Sequence, residues 1–386
     1  MAAALTAPFS NLKIAVTERG DINFVLSGKA YPNGTAYNEA LVGAPYSTAR
    51  VYDSLYARHW DTWLTKETYA LFAGSLKKGR SKMTFNGVLV NLLGGVKNLE
   101  TPVQPFGGAS DFAITSDGET VAFLSKAPEL GQANHTASYI YIVPHDRSSI
   151  AKAVNAPTSR GTPRNARGAS ASPTFSPDGK TLAYLQMDDR TYESDRNKLY
   201  TTKLGSGVIK AVAHNWDRSP AGLAYSADGK SFFLLAGEYG REKLWSLPVT
   251  AGANAVPKAI TREGSVSGFH QISDNSILVS NSSIVSSTGY AVVSTTGAGE
   301  PKVLLAPNKI DPQLAGLSDA QVEEFWYEGS WTKIHGWITK PSNFDPTKQY
   351  PLAFLIHGGP QSAWMNRWST GWNPAVWADQ GYVVVA

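Results

Sequence analysis

The residues best suited to chemistry are His357-Gly358-Gly359-Pro360. They follow Leu352-Ala353-Phe354-Leu355-Ile356, a continuous apolar run that reads as a strand buried on both faces. Glycine has no Cβ, so Gly358 and Gly359 can turn tightly and leave their N–H groups open to a ligand. Amides presented in this way can hold the negative oxygen that forms when a carbonyl is attacked, as acyl transfer requires. Gly359 is the expected donor and Gly358 the second choice; a plain turn glycine is the other reading. His357 carries a potential base, but its expected role is to orient the loop through hydrogen bonds. Acyl transfer also needs an attacking group, often a serine on a sharp turn written G-x-S-x-G. That motif is missing: Gly264-Ser265-Val266-Ser267-Gly268 has valine at its centre, and the 26 residues after Pro360 do not supply it.

Other chemistries are excluded quickly. There are no cysteines, so thiol catalysis, thiolate metal sites and disulfides are ruled out. No H-E-x-x-H, P-loop or carboxylate–histidine cluster occurs, and neither a metal nor a cofactor is expected. Charged residues make up 17% and hydrophobic ones 42% of 386, a globular mix rather than a disordered one. The net charge of +4 is scattered, and its densest cluster, Lys77-Lys78-Gly79-Arg80-Ser81-Lys82, reads as a solvated turn. Nucleic acid is not an expected partner. No apolar run approaches the roughly 18 residues of a membrane span, and no membrane partner is expected. Sequons stand at Asn33, Asn134 and Asn281. Residues 1–12 lack the charged and apolar regions of a signal peptide.

The elements that must position the loop come from a repeat. Ala113-Ile114-Thr115-Ser116-Asp117-Gly118-Glu119-Thr120-Val121 is a strand, a tight turn and a second strand. Phe175-Ser176-Pro177-Asp178-Gly179-Lys180-Thr181-Leu182 repeats it, as does Tyr225-Ser226-Ala227-Asp228-Gly229-Lys230-Ser231-Phe232. A weaker copy surrounds Asp274-Asn275. Asp-Gly between alternating apolar residues is a strong hairpin signal, because such turns need positive φ. The four turn aspartates lie 61, 50 and 46 residues apart, near the roughly 40–50 of a four-stranded propeller blade. A first blade begins around Gly20-Asp21 and is enlarged by an insertion carrying Arg58-His59-Trp60-Asp61. The fold class is therefore expected to be mainly β: an incomplete β-propeller of about five blades over 1–315, then the truncated start of an α/β domain over 316–386. Residues 148–172 read as a long connection between blades, and Trp377, on a short helix from Pro374, as core.

Several separated motifs share one resemblance. His357-Gly358-Gly359-Pro360-Gln361, Trp368-Ser369-Thr370-Gly371-Trp372-Asn373-Pro374 and Ala378-Asp379-Gln380-Gly381-Tyr382 resemble the opening of the catalytic domain in fungal secreted dipeptidyl-peptidase V enzymes, of the prolyl oligopeptidase family. Upstream, Ala49-Arg50-Val51-Tyr52-Asp53, Arg58-His59-Trp60-Asp61, Tyr192-Glu193-Ser194-Asp195-Arg196 and Asn215-Trp216-Asp217-Arg218 match in the same order. The resemblance implies an α/β-hydrolase for the second domain, with further propeller upstream and the Ser, Asp and His triad downstream of these residues.

It also implies a secreted serine peptidase that releases N-terminal dipeptides, often with a small second residue, acts on peptide substrates and needs no cofactor. Such an enzyme must recognise a free N-terminus, and a carboxylate in a partly dry cavity can pair with the ammonium. Glu193 is the first choice and Asp195 the second; a structural salt bridge of Asp195 with Arg196 or another base is the alternative. Trp216 and Asp217 either line the substrate cavity or stabilise a turn between blades. The 386 residues alone are expected to be inactive. The competing readings are a propeller-type binding or scaffold protein, and part of an acylaminoacyl peptidase or esterase of the same fold.

Overall fold

The computed structural model describes residues 4–43, 46–53, 55–157, 168–314 and 316–386. They divide into two compact units, Met1–His214 and Asn215–Ala386. The expected division at 315/316 falls inside the second. The connection expected over 148–172 lies partly outside the described residues.

The first unit holds three antiparallel sheets. Ser10–Val16, Ile22–Ala30, Thr68–Lys78 and Met83–Phe85 form one in sequence order, with Val90–Asn91 also pairing with Thr68–Lys78. Between its second and third strands lies the insertion of residues 31–67, with a small hairpin, Arg58–His59 against Thr62–Trp63. Phe112–Ile114, Thr120–Lys126, Ser138–Pro144 and Lys152–Ala153 form the second sheet. Ser170–Phe175, Thr181–Gln186, Lys198–Lys203 and Ile209–Val212 form the third.

The sequence of the inner strands explains their stacking. Thr120–Lys126 reads apolar on consecutive positions, and a strand turns successive side chains to opposite faces. Val121 and Phe123 join a core with Val25, Phe72 and Tyr141. Ala122 and Leu124 join a different core with Phe175, Leu182 and Tyr184. One strand thus serves two cores, which is what a blade between two blades requires.

The second unit has two more four-stranded meanders. Pro220–Tyr225, Ser231–Glu238, Arg241–Pro248 and Lys258–Ala259 make one; Ser265–Ser273, Ser276–Ser283, Ser286–Ser294 and Lys302–Leu305 make the other. Phe233 and Leu244 pack with Val266, Ile277 and Val279 between them. A sixth, mixed sheet follows: Val322–Glu328 pairs antiparallel with Lys333–Thr339, which pairs antiparallel with Val383–Val385. Val383–Val385 in turn pairs in parallel with Leu352–Phe354. The fold is mainly β, propeller-type blades followed by the opening strands of an α/β-hydrolase sheet, as the sequence led us to expect.

Two expectations need correcting. The strand after Pro351 spans only Leu352–Phe354, and it is not buried: Leu352 is 64%, Phe354 65% and Ile356 79% exposed. It pairs on one edge only, and its side chains alternate between an exposed face, Leu352, Phe354 and Ile356, and a half-buried one, Ala353 and Leu355. Trp377 is not core either. The helix Pro374–Ala378 buries Pro374, Ala375 and Ala378, while Trp377 lies on its outer side, 38% exposed and stacked on Trp372 at 6.2 Å.

Candidate functional site

The loop at 357–360 leaves the C-terminal end of a parallel strand, the end at which open α/β sheets bind ligands. Its entry is fixed by two bonds: Leu355 N donates to Val385 O at 2.8 Å, and Trp364 Nε1 donates to Leu355 O at 3.0 Å. At the exit, Ser362 N donates to Pro360 O at 2.9 Å. His357 Nδ1 donates to the Gly358 carbonyl at 3.0 Å, a contact inside its own loop. Gly359 has φ +140, and a Cβ there would stand 2.9 Å from Gln361 N, so this position needs glycine. Gly358 has nothing within 4 Å of such a Cβ. Among the described residues, no acceptor takes the N–H of Gly358 or Gly359. The loop is held at both ends while its two amides remain free to meet a developing negative charge.

The amine-binding pair separates. Asp195 is consumed by its own loop: Oδ2 accepts from the backbone N–H of Asp188 at 2.8 Å and of Asp189 at 2.9 Å, and Oδ1 from Arg196 N at 2.7 Å. Burial acts to raise this carboxyl, yet these bonds outweigh it and hold it below the ordinary aspartate range. Asp195 is therefore a loop organiser, and of the two, Glu193 is left with a carboxylate exposed to solvent. Around Glu193 stands a group that sequence reasoning did not assemble. Lys126 and His59 both feel its charge, and Lys126 lies over the Tyr56 ring at 5.6 Å. His59 packs edge-on against Tyr56 at 5.7 Å and Phe106 at 5.6 Å. The Arg58-His59-Trp60-Asp61 motif was a signal for this cluster; nothing in the sequence pointed to Lys126 or Phe106.

Trp216 is buried. It is 8% exposed and packs edge-on against Trp245 at 5.2 Å. Asp217 is exposed and paired with Arg218, which also reaches Glu238 Oε1 at 3.0 Å. Lys243 Nζ meets the other Glu238 oxygen at 2.8 Å. Burial acts to raise the Glu238 carboxyl, but Lys243 and Arg218 hold it below its ordinary value. Asp217 and Arg218 are thus joined to Glu238 and Lys243 in one ion-pair network. Glu242 was also missed: it is half-buried, its Oε1 has no partner, and burial pushes the carboxyl up to about 7.

Of the three sequons, Asn33 and Asn134 are exposed. Asn281 sits within the strand Ser276–Ser283, half-buried, with Nδ2 directed at Glu263 O. Among the described residues, no group of side chains could hold a metal ion.

No family model matches the sequence. Dipeptidyl-peptidase 5 of Aspergillus fumigatus is 51% identical over 389 residues, covering all of this chain and 54% of the relative. Over its whole length the chain is similar to dipeptidyl-peptidase 5. The probable dipeptidyl-peptidase 5 of Arthroderma benhamiae is 48% identical over 388 residues, with all of this chain and 53% of the relative covered. The chain thus spans about half the length of the dipeptidyl-peptidase 5 proteins it matches. Among solved structures, the uncomplexed acylaminoacyl peptidase of Pyrococcus horikoshii aligns with a TM-score of 0.64 at 12% identity, over 97% of this chain and 50% of that one. A puromycin-hydrolyzing peptidase of Mycobacterium tuberculosis aligns with a TM-score of 0.60 at 14% identity, over 99% and 51%. These two similarities establish the fold.

Proposed function

We propose that these residues form the propeller-and-oxyanion part of a secreted serine-type dipeptidyl peptidase, which releases N-terminal dipeptides of the Xaa-Ala type from peptides. The observation that carries this reading is the 357–360 loop, with two uncommitted amides at the C-terminal end of a parallel strand. Similarity to dipeptidyl-peptidase 5 over the whole chain supports the substrate class. In this reading the N–H of Gly359, or of Gly358, receives the negative oxygen of the attacked carbonyl. His357 keeps the loop in shape, and the serine, aspartate and histidine of the triad are supplied by sequence outside these residues.

Glu193 receives the substrate ammonium. It lies in the connection between the second and third strands of its sheet, residues 187–197. The same connection in the second unit's meanders, at Gly240 and Ile284, touches the hydrolase segment through hydrogen bonds with Asn366. The domains are the blades, 1–315, and the start of the hydrolase, 316–386. Glycans sit on Asn33 and Asn134, Asn281 being the poorest acceptor. In this reading the partner is a peptide substrate, and neither nucleic acid nor a membrane takes part. No cofactor is required.

The test uses the full-length protein and Xaa-Ala-p-nitroanilides with free or acetylated N-termini. Cleavage of the free amine is expected, lowered by about tenfold in Glu193→Gln, since a hydrogen bond to a charged group is worth about 1.5–3 kcal/mol once the bound peptide covers it. Equal cleavage of the acetylated substrate would move the assignment to an acylaminoacyl peptidase.

A further inference from the structure

From the hydrogen bonds of the second unit we infer that Asn366 is a positioning residue for the 357–360 loop, transmitting the geometry of two blade hairpins to the amides that receive the oxyanion. The inference rests on the reading of that loop given above. The relay can be followed bond by bond. On the blade side, Asn366 N donates to Gly240 O at 2.6 Å, and Asn366 Oδ1 accepts from Ile284 N at 2.9 Å. Gly240 and Ile284 belong to the hairpin turns of the two successive meanders of this unit. A third tie, Trp368 N to Ser282 Oγ at 3.3 Å, fastens the same segment to the second hairpin.

On the loop side, the chain two residues before Asn366 is equally committed. Trp364 O accepts from Trp337 Nε1 at 2.9 Å, and Trp364 Nε1 donates to Leu355 O at 3.0 Å, two residues before His357. Trp337 is buried with Ile284, Val285 and Ala375, and Trp364 packs against this group. The blade approaches closely only because residue 240 is glycine. Its φ is +67, and a Cβ would stand 2.8 Å from Trp337 Nε1 and 2.9 Å from His335 Cε1. The segment Trp364–Trp368 therefore acts as a short strap, tied to two hairpins at one side and to the loop's entry at the other. Oxyanion donors work by being held in place before the reaction, and small displacements of such groups are costly.

The experiment uses the full-length protein and three variants: Asn366→Ala, Asn366→Asp and Trp364→Phe. Asn366→Ala removes the acceptor for Ile284 N, and Trp364→Phe removes the donor to Leu355 O while keeping most of the ring. Each is expected to lower kcat by about tenfold or more with KM within about twofold, as for an error in alignment. Asn366→Asp retains the acceptor oxygen and is expected to recover most of the lost rate. A kcat within about twofold of the parent in both Asn366→Ala and Trp364→Phe, a change confined to KM, or an Asn366→Asp no better than Asn366→Ala overturns the proposal. Hydrogen exchange of residues 352–362 separates this inference from the peptidase reading. If the parent cleaves no free-amine peptide, the peptidase reading falls, while the strap still predicts faster exchange of this segment in Asn366→Ala and Trp364→Phe. Unchanged exchange there overturns the strap whatever the activity.

Discussion

Gly358 and Gly359 are neighbours with opposite tolerance for a methyl group. Gly359→Ala forces a side chain onto φ +140 and against Gln361 N, whereas Gly358→Ala enters open space. In the full-length protein Gly359→Ala is expected to lower kcat by on the order of 10²-fold, the scale of losing one oxyanion donor. Gly358→Ala should stay within about threefold. The reverse order in a turnover assay would transfer the donor role to Gly358. Glu242 makes a different prediction. Its folded value of about 7 lies above the ordinary 4.5, so the folded chain holds its proton more tightly than the unfolded one. Between those values stability falls as pH rises, and the penalty is complete above about 7. After allowance for partial contact with water, it amounts to about 1–2 kcal/mol. Glu242→Gln should raise Tm by about 2–6 °C at pH 8 and by much less at pH 5, as read by calorimetry. An equal gain at both pH values contradicts the assignment. The loop was legible because its glycines act through the backbone. Glu242 was not, since its surroundings, Arg367 among them, come from far along the chain. Trp216 stayed open between two readings for a similar reason, because a tryptophan shows the same letters whether it faces a cavity or Trp245.

Among the elements, the turns of the repeat were the most legible, and the structure shows why. In three sheets a Ser or Thr hydroxyl donates to the turn aspartate: Thr115 to Asp117 at 2.5 Å, Ser176 to Asp178 at 2.5 Å, Ser226 to Asp228 at 2.6 Å. The same hydroxyls accept from the N–H that opens the next strand, at 3.0, 3.0 and 2.9 Å. The glycines take φ of +76, +69 and +70. Asp178→Ala is expected to lower stability by loss of the turn's hydrogen bonds, and Gly179→Ala to cost about 1–2 kcal/mol through the left-handed backbone. Urea unfolding of the 386 residues measures both, and a Gly179→Ala as stable as the parent contradicts the turn assignment. The strand at Leu352–Phe354 was harder to read. An apolar run reports what a strand prefers to contact, and not whether a partner lies over it. The insertion was legible as an insertion from the long interval before the first Asp-Gly turn. Its packing was not, because Tyr56 and Phe106 come from loops and His59 from a two-residue strand, none of which has a readable period.

At the scale of the molecule, the 386 residues contain the loop proposed to receive an oxyanion and no G-x-S-x-G turn to create one. Expressed alone, they are expected to give no turnover of Xaa-Ala-p-nitroanilide above the uncatalysed rate. Leu352, Phe354, Ile356 and Trp372 are all exposed in the second unit, and apolar surface of this kind seeks cover. Concentration-dependent association is therefore expected in light scattering; a monodisperse monomer at high concentration contradicts it. The Asp-Gly turns also bond from sheet to sheet within each unit. Asn23 Nδ2 donates to Gly118 O at 3.0 Å, Ser116 Oγ to Pro177 O at 2.8 Å, and Ala227 N to the Gln271 side chain at 2.8 Å. A sheet with its own corner and such a bond to a neighbour in its unit is a self-contained module. Such a module can be copied or deleted whole by an unequal crossover in the gene, with the neighbours meeting across a familiar seam, which gives evolution a way to change the number of blades without redesigning any of them.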